Sequence, residues 1–310
     1  MIEHKEPAIS SAHPVVLVAG SLHYDIIVSA SGRPRKGETL AGQFWRPKFG
    51  GKGGNQAVAC RRQGVETSMV GAVGNDAFGQ ALLAHLAQEK VEHRNVASVD
   101  LHSSGMSVAI FDSEGDYGAV IVSGANLHIQ ADQVPLSAWA SAKILVLQNE
   151  IPETVNAELA LQARRAGLLT VLNAAPARTF TTTLPETVDI LIVNAIEAEM
   201  YGGGVVDSLV TAHQAAATLC RHFPAVIVTA GGDGVAFCTQ TGGPCFDLPA
   251  IPVTVASTHG AGDSFVGTFV AHLALGNDIQ VAVEAANQAA ALLVATPEDE
   301  RPQIEAVTGS

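Results

Sequence analysis

From about residue 140 onward, short apolar runs alternate with helical segments, and the loops between them are short. This alternation predicts a mostly parallel sheet with helices on both faces, because parallel strands need crossover connections that helices supply. The continuous apolar run at 144–147 is typical of a strand that is buried on both faces. In such sheets, ligands bind beyond the carboxyl ends of the strands. The predicted fold class is therefore α/β, with polar functional residues at one edge of the sheet.

The segment 26–49 has a different character, because apolar and polar residues alternate there and turn residues are frequent. The segment 107–122 contains two further short strands around a polar turn. Both patterns predict antiparallel strands with one exposed face. We expect one α/β domain over 14–300 that includes these strands, with an N-terminal tail at 1–13 and a C-terminal tail at 301–310.

Composition narrows the classes of function. The net charge is −13, and an acidic surface of this kind repels polyanions. No basic cluster resembles a nucleic-acid footprint, and no apolar run reaches the roughly 18 residues of a membrane span, so neither partner is expected. The N-terminus lacks the apolar stretch of a signal peptide. The four cysteines lack the spacing of a zinc site, so they indicate reduced thiols in a cytoplasmic protein.

The segment 257–265 (STHGAGDSF) places small residues just before a helical stretch at 265–275. The first N–H groups of a helix have no partner in the chain and the helix dipole is positive there, so the segment predicts an anion site. Gly260 and Gly262 lack the Cβ atoms that would keep a phosphate away from the backbone. Asp263 would repel phosphate unless it takes a proton from an attacking hydroxyl. It could also simply cap the helix, and the segment alone leaves both interpretations open.

Two further motifs also have a structural and a functional interpretation. The stretch 50–55 (GGKGGN) puts four glycines around Lys52, which suits either a flexible loop or a backbone that a ligand touches. Its spacing is not that of a Walker A loop. Asn194 and Glu197 lie three residues apart at the end of a strand. This pair suits either a capping box or a hydrated Mg²⁺ beside phosphates.

The chain contains six short motifs. Each is weak evidence for a family when taken alone, but their order along the sequence is specific. With them, the chain resembles the ribokinase (PfkB-type) carbohydrate kinase family from about residue 15 to 300. The stretches NAAPAR and GGKGGN are most similar to the ribokinase branch of that family. The motifs are G-S-x-x-x-D at 20–25, G-G-K-G-G-N-Q-A at 50–57, N-A-A-P-A-R at 173–178, N-x-x-E at 194–197, T-x-G-x-x-G-V at 229–235 and G-A-G-D-S-F at 260–265.

The resemblance implies a ribokinase-like three-layer α/β sandwich in which the strands of 26–49 and 107–122 form a lid over a sugar. It also implies ATP-dependent phosphorylation of a primary hydroxyl on a pentose or related sugar. Asp263 would be the base, and the N–H groups of Gly260, Ala261 and Gly262 would stabilise the transferring phosphoryl group. Closing the lid would exclude water. In this family the lid often pairs between subunits, so a homodimer is expected.

The resemblance extends to the residues that bind ligands. The metal it implies is Mg²⁺, with Glu197 beside it. The residues expected to bind the sugar are His23, Asp25, Gly51, Lys52, Asn55 and Glu150. The residues expected to bind ATP are Asn194, Thr229, Gly231, Gly234 and Asn287.

The identity of the substrate stays open. His23 stands where ribokinases usually have Asn, two residues before Asp25, and a larger titratable ring changes which pattern of hydroxyls fits. One alternative is a nucleoside kinase of the adenosine or pseudouridine type on the same fold. In that case His23 would join Tyr24, Trp45 and Met106 in a face that stacks on a base. A second alternative is a sugar-binding protein that has lost its chemistry.

The cation requirement also departs from the family pattern. Many members have an Asp that helps to bind a monovalent cation at the position of Ser257. A neutral hydroxyl there weakens the case for K⁺ as a cofactor.

Overall fold

The computed structural model describes residues 15–112, 117–240 and 242–301. The strands are β1 (Val15–Ala19), β2 (His23–Ala30), β3 (Gly42–Gly50), β4 (Glu66–Gly74), β5 (Glu92–Val99), β6 (Gly105–Phe111), β7 (Tyr117–Val122), β8 (Ala142–Gln148), β9 (Leu169–Asn173), β10 (Ile190–Asn194), β11 (Ala225–Thr229), β12 (Gly234–Thr239) and β13 (Cys245–Pro249). The α-helices are α1 (Lys52–Arg62), α2 (Ala77–Gln88), α3 (Leu136–Ser141), α4 (Glu153–Ala166), α5 (Ala195–Met200), α6 (Leu209–Leu219), α7 (Ala261–Ala274) and α8 (Ile279–Ala295). Within these ranges, no helix combines the length and apolarity that a bilayer span requires.

Nine strands form one large sheet in the order β13-β12-β11-β10-β9-β8-β1-β4-β5. The pairs from β11 to β5 are parallel, whereas β12 and β13 are antiparallel additions at one edge. The mostly parallel sheet is therefore confirmed. The short runs of β5, β12 and β13 were not among the predicted strands, because their side chains are mixed in polarity or lie between turn residues.

Helices cover both faces of the large sheet and so create three layers. On one face α1, α2, α7 and α8 contribute buried side chains such as Ala57, Leu82 and Phe269. On the other face α4 and α6 contribute side chains such as Leu159 and Ala216. Since β1, β8 and β11 supply apolar residues to both layers, their sequences read as continuous hydrophobic runs.

A second, smaller sheet has the order β3-β2-β6-β7, and we call it the small sheet. Its β2–β3 and β6–β7 pairs are antiparallel as predicted, but β2 and β6 are parallel, which alternation within single strands does not indicate. The turn at 113–116 and the predicted tail at 1–13 lie outside the described residues. Arg301, which lies in the predicted C-terminal tail, contacts the loop before α7.

Candidate active site

The carboxyl ends of the three parallel strands β9, β10 and β11 and the start of α7 meet at one edge of the large sheet. A cavity of about 180 Å³ lies there, and we call it the edge cavity. Polar residues do lie at this edge of the sheet, and their function stays a prediction. The polar and glycine residues that line the edge cavity are Lys52, Asn173, Asn194, Glu197, Thr229, Gly260, Gly262 and Asp263.

The backbone at the start of α7 forms an open cradle. Gly260 has φ 81°, a left-handed conformation that favours glycine, and no atom lies within 4 Å of where a Cβ of Gly262 would stand. In the described chain the N–H groups of Gly262 and Asp263 donate to no acceptor. The N–H of Ala261, in contrast, donates to the carbonyl of Thr258 at 3.2 Å. The free donors in this structure are thus at 262 and 263, and the role of the Ala261 N–H stays a prediction. The helix itself begins four residues before the predicted 265, which places Asp263 in its first turn.

Amide side chains hold the Asp263 carboxylate in place. Asn55 Nδ2 donates to Oδ2 and Gln56 Nε2 donates to Oδ1, both at 3.0 Å. Gln56 is itself oriented, because its Oε1 accepts from Gln148 Nε2 at 2.8 Å while its Nε2 also reaches Asn173 Oδ1 at 3.0 Å. Asn55, predicted to bind the sugar, therefore orients the Asp263 carboxylate in this structure.

The charges around Asp263 are coupled. Burial raises the pKa of Asp263, while Lys52 and the two amide donors act in the opposite direction. Burial alone would lower the pKa of Lys52, but the carboxylates of Asp263, Glu150 and Glu197 together raise it. A lysine that stays protonated among three acids provides a fixed positive charge beside the edge cavity.

The residues predicted to bind the sugar lie beside this group. Asp25 is buried on β2, where Ser107 Oγ donates to its Oδ1 at 2.5 Å. Burial raises the pKa of Asp25, and the charge of Glu150 adds to that effect. Glu150 accepts a hydrogen bond from the Ser21 hydroxyl and another, at 2.9 Å, from the N–H of Lys52.

His23 is also buried, and in the described ranges its Nε2 has no hydrogen-bond partner. Because side chains alternate along a strand, His23 projects from the same face of β2 as Asp25. A buried nitrogen without a partner costs free energy unless a ligand or water satisfies it. Its predicted contact with a sugar stays a prediction.

The glycines at 50–54 are packing residues and not a flexible loop. Gly51 has φ 84° at the N-cap of α1, and a Cβ there would lie 2.6 Å from the carbonyl oxygen of Ser21. A Cβ on Gly53 would lie 2.7 Å from the carbonyl carbon of Gly20. The missing side chains let α1 approach the β1–β2 connection closely, and this approach positions Lys52.

Asn194 and Glu197 form the capping box that was one of the two interpretations of their spacing. Asn194 Oδ1 accepts from the N–H of Glu197 at 2.8 Å, and Glu197 Oε2 accepts from the N–H of Asn194 at 2.9 Å. Burial raises the pKa of Glu197. Its second oxygen, Oε1, makes no hydrogen bond to any residue that the structure describes, although the residue lines the edge cavity. The cap therefore leaves one carboxylate oxygen for a ligand.

Only some of the five residues predicted to bind ATP line the edge cavity. Asn194 and Thr229 line the edge cavity, but among the described residues Gly231, Gly234 and Asn287 do not. Gly234 has φ 125°, and a Cβ there would lie 2.1 Å from the carbonyl oxygen of Leu248, so the β12–β13 pairing requires glycine. Asn287 Nδ2 donates to the carbonyl of Pro249 at 3.0 Å. Both have structural contacts, and their contact with ATP stays a prediction.

A charged cluster fixes the loop at 257–260 that leads into α7, and we call this loop the cradle loop. Arg301 donates to the carbonyls of Ser257 at 3.0 Å and His259 at 2.8 Å in that loop. It also donates to Leu293 at 2.6 Å and Thr296 at 3.0 Å, at the end of α8. The Ser257 hydroxyl donates to Glu298 Oε1 at 2.8 Å. One guanidinium thus ties the cradle loop to the end of α8.

Glu298 carries the negative charge of this cluster. Burial alone would raise its pKa, but Lys48, the Ser257 hydroxyl and Arg46 hold that pKa at about 2. Arg46 Nη2 lies 2.7 Å and Lys48 Nζ lies 3.4 Å from its oxygens. Because both cations come from β3, Glu298 connects the small sheet to the cradle loop.

Sequence reasoning missed several residues of the site. Gln56 lies inside a motif that was recognised, and a buried amide on an otherwise apolar helix face was a usable signal. Ser107 carries no such signal, because a single serine in an apolar strand is common. Ser21 lies in the recognised motif at 20–25, but no role was assigned to it. Arg301 lay in the predicted tail, and only the fold brings it to the cradle loop.

Comparisons with known proteins identify the family of this chain. Residues 14–305 match the family described as pfkB family carbohydrate kinase. Ribokinase of Mus musculus is 34% identical over 263 residues, which cover 84% of this chain and 81% of the mouse protein. Ribokinase of Bacillus subtilis is 33% identical over 282 residues, covering 90% and 92%. The structure of Arabidopsis thaliana ribokinase complexed with ribose and ATP superposes with a TM-score of 0.83 at 30% identity, covering 91% and 93%. The chain therefore belongs to the pfkB family of carbohydrate kinases, which transfer phosphate to an alcohol group.

Proposed function

We propose that this protein transfers the γ-phosphate of ATP to a primary hydroxyl of a pentose. The observation that carries the proposal is the position of Asp263. Its carboxylate is buried, is held by two amide donors, and lies between the free N–H groups of the cradle and the Asp25–Glu150 region. The structural relationship to a ribokinase complexed with ribose and ATP supports the same substrates.

In this reaction Asp263 takes the proton of the sugar hydroxyl as its oxygen attacks the terminal phosphorus of ATP. A new oxygen–phosphorus bond forms, the bond to the bridging oxygen of the β-phosphate breaks, and ADP leaves. In this mechanism the free N–H groups of Gly262 and Asp263 stabilise the negative charge that develops on the transferring group. Gln56 and Asn55 are positioning residues, because they fix the orientation of the base and do not touch the reacting atoms.

The donors at the edge cavity fit Mg²⁺. Magnesium prefers a few carboxylate oxygens together with water and phosphate oxygens. Glu197 offers an oxygen that no described residue satisfies, and Asn194 lies beside it. When bound, the ion would neutralise charge on the phosphates, and Lys52 supplies a second positive charge on the same side.

A monovalent cation does not fit at the cradle loop. Carbonyl oxygens are the usual ligands of K⁺ in proteins. Here the carbonyls of Ser257 and His259 already accept hydrogen bonds from Arg301, together with two carbonyls at the end of α8. We infer that the guanidinium takes the place of a cation and that the enzyme needs no added K⁺.

His23 is the candidate for sugar specificity. It shares a face with Asp25, and its buried Nε2 lacks a partner, so it can bind one sugar hydroxyl while Asp25 accepts from another. The nucleoside alternative is weaker. By strand register Tyr24, Trp45 and Met106 all lie on the opposite face, and Tyr24 stacks on Phe78 with ring centroids 4.3 Å apart. They do not form a base-stacking face with His23.

The small sheet supports a homodimer. Large apolar side chains are exposed on both of its faces: Phe44 (56%) and Ile121 (60%) on the Asp25 face, and Trp45 (57%) and Val120 (69%) on the other. Exposed apolar clusters of this kind mark interaction surfaces. A second small sheet seated on the Asp25 face would bury Phe44 and Ile121 and close the sugar site. Phe44→Arg should shift the protein toward monomer in sedimentation experiments.

The decisive experiment is a panel of pentoses, hexoses and nucleosides assayed with ATP and Mg²⁺. We expect phosphorylation of a pentose and no turnover of nucleosides. Asp263→Ala should lower kcat by roughly 10²–10⁴-fold while sugar binding is largely kept, since a general base acts on the transition state. Full activity in that variant would exclude the mechanism. A wild-type protein that binds sugars without any turnover would instead be the non-catalytic alternative.

A further inference from the structure

Three side chains with metal-binding atoms meet at the end of the large sheet that lies opposite the edge cavity. The ligand atoms of His213, Cys238 and Cys245 all lie within 4.8 Å of one another. Cys238 pairs with Val226, near the amino end of β11, whereas the edge cavity lies at the carboxyl end of that strand. The cluster is therefore separate from the kinase site.

Sheet register brings these residues together. Cys238 on β12 and Cys245 on β13 are directly opposite each other in an antiparallel pair, so their side chains project to the same face. Asp247 is two residues further along β13 and shares that face. His213 reaches the same place from α6, and its Nε2 lies 3.9 Å from Cys238 Sγ. Cysteine spacing gave no sign of a zinc site, because these ligands come from three separate elements.

The imidazole is already oriented for a cation. Asp247 Oδ1 lies 2.8 Å from His213 Nδ1, which leaves Nε2 to face the two sulfurs. A carboxylate that holds one ring nitrogen while the other faces a metal is the usual arrangement around histidine ligands. Cys238 is buried and Cys245 is exposed, so an ion between them would have protein on one side and solvent on the other.

We propose that His213, Cys238 and Cys245 form a Zn²⁺ site that joins α6 to the β12–β13 hairpin. Two thiolates and one imidazole are ligands that zinc prefers, and a water molecule completes the tetrahedron. Each thiol releases its proton when the ion binds. The ion would tie the antiparallel edge of the sheet to the helix that covers it and so raise the stability of the whole domain by mass action.

The test uses the full chain, reduced with a phosphine and stripped with a chelator, and titrated with Co²⁺ and then Zn²⁺. We expect one equivalent of Co²⁺ to bind with thiolate-to-metal charge-transfer absorption, and Zn²⁺ to displace it and raise Tm. Cys245→Ser and His213→Gln should weaken Zn²⁺ binding by more than about 100-fold, and Asp247→Asn by about 10–100-fold. Cys245 and His213 are at least partly exposed, so these variants should fold.

The matched control is His222→Gln, an exposed histidine outside the cluster, which should bind Zn²⁺ like the wild type. Three results would overturn the proposal. One is the absence of stoichiometric Zn²⁺ binding, and another is binding that Cys245→Ser leaves unchanged. The third is a Cys238–Cys245 disulfide in the protein as isolated, which would show that the pair is redox-active and not a metal site.

Discussion

Removing the guanidinium of Arg301 tests whether the chain itself supplies the cation of the cradle loop. Three of its hydrogen bonds, to Ser257, Leu293 and Thr296, are partly buried, and the one to His259 is exposed. Interior hydrogen bonds to charged groups contribute about 1.5–3 kcal/mol each. Because Arg301 is partly exposed, we count about 1 kcal/mol for each partly buried bond, or about 3 kcal/mol in total.

The loss of these hydrogen bonds is expected to lower kcat. The loop leads directly into the first turn of α7, which carries the free N–H groups of Gly262 and Asp263, so the tether matters most when charge develops on the phosphoryl group. At 1.36 kcal/mol for each factor of ten, 3 kcal/mol corresponds to roughly a 100-fold lower kcat as an upper limit. Water that replaces some of the bonds reduces the effect, and we expect Arg301→Ala to lose between about 10- and 100-fold.

The assay compares kcat in K⁺ and in tetramethylammonium, which is too large for the site. Wild type should be equally active in both. Arg301→Ala should gain a dependence on K⁺ or guanidinium ion, because truncation exposes carbonyl oxygens that such cations bind. The matched control is Arg94→Met, an exposed arginine paired with Glu92, which should change nothing.

Two outcomes would refute this reasoning. Several-fold activation of the wild type by K⁺ would show that the guanidinium does not replace a cation. A variant with unchanged kcat and only a lower Tm would show that Arg301 merely caps α8, since basic groups near a helix C-terminus also stabilise the helix itself.

The other predictions concern the base and the charged cluster. Gln56→Leu should lower kcat with little effect on the KM for ATP, because it removes an oriented donor from Asp263; an unchanged kcat would make Gln56 purely structural. Activity needs the deprotonated base, and Lys52 lowers the pKa of Asp263, so Lys52→Met should move the acid limb of the pH–kcat profile to higher pH. The pKa of Glu298 is depressed from 4.5 to about 2, so its stabilising effect is present above pH 4.5 and is lost as the pH falls through 2. Thermal melts of Glu298→Gln should therefore lose less stability than the wild type over that range, and parallel curves would contradict the ion-pair assignment.

The sequence was most informative where a local pattern determines the structure. Buried parallel strands need apolar runs and polar ends, so the large sheet and its functional edge could be predicted from residues such as those at 144–147 and Asn194. The start of α7 was placed four residues late, because Gly260 and Gly262 are poor helix formers. The structure shows that Gly260 is the left-handed N-cap. Propensity alone does not distinguish a glycine inside a helix from one that starts it.

Contacts between distant segments could not be predicted from local sequence patterns. Gln56 meets Asp263 across 207 positions of sequence, and Ser107 meets Asp25 across 82. Such pairs depend on strand order and register, which alternation within one segment does not determine. The same limit explains why the parallel pairing of β2 with β6 was not predicted.

Ser257 and Arg301 together replace the acid and the cation that the resemblance implies for this loop. The resemblance implies an acid at 257 that helps to hold a mobile cation. Here Ser257 donates its hydroxyl to Glu298, so the carboxylate still lies beside the loop but comes from the segment after α8. Glu298 pairs with the cations of β3, and Arg301 occupies the carbonyls that an ion would need. An acid restored at 257 would face Glu298 across a hydrogen-bond distance, and two like charges that close are destabilising. Ser257→Asp alone should therefore lower Tm without creating K⁺ activation, whereas Ser257→Asp combined with Arg301→Ala should create it.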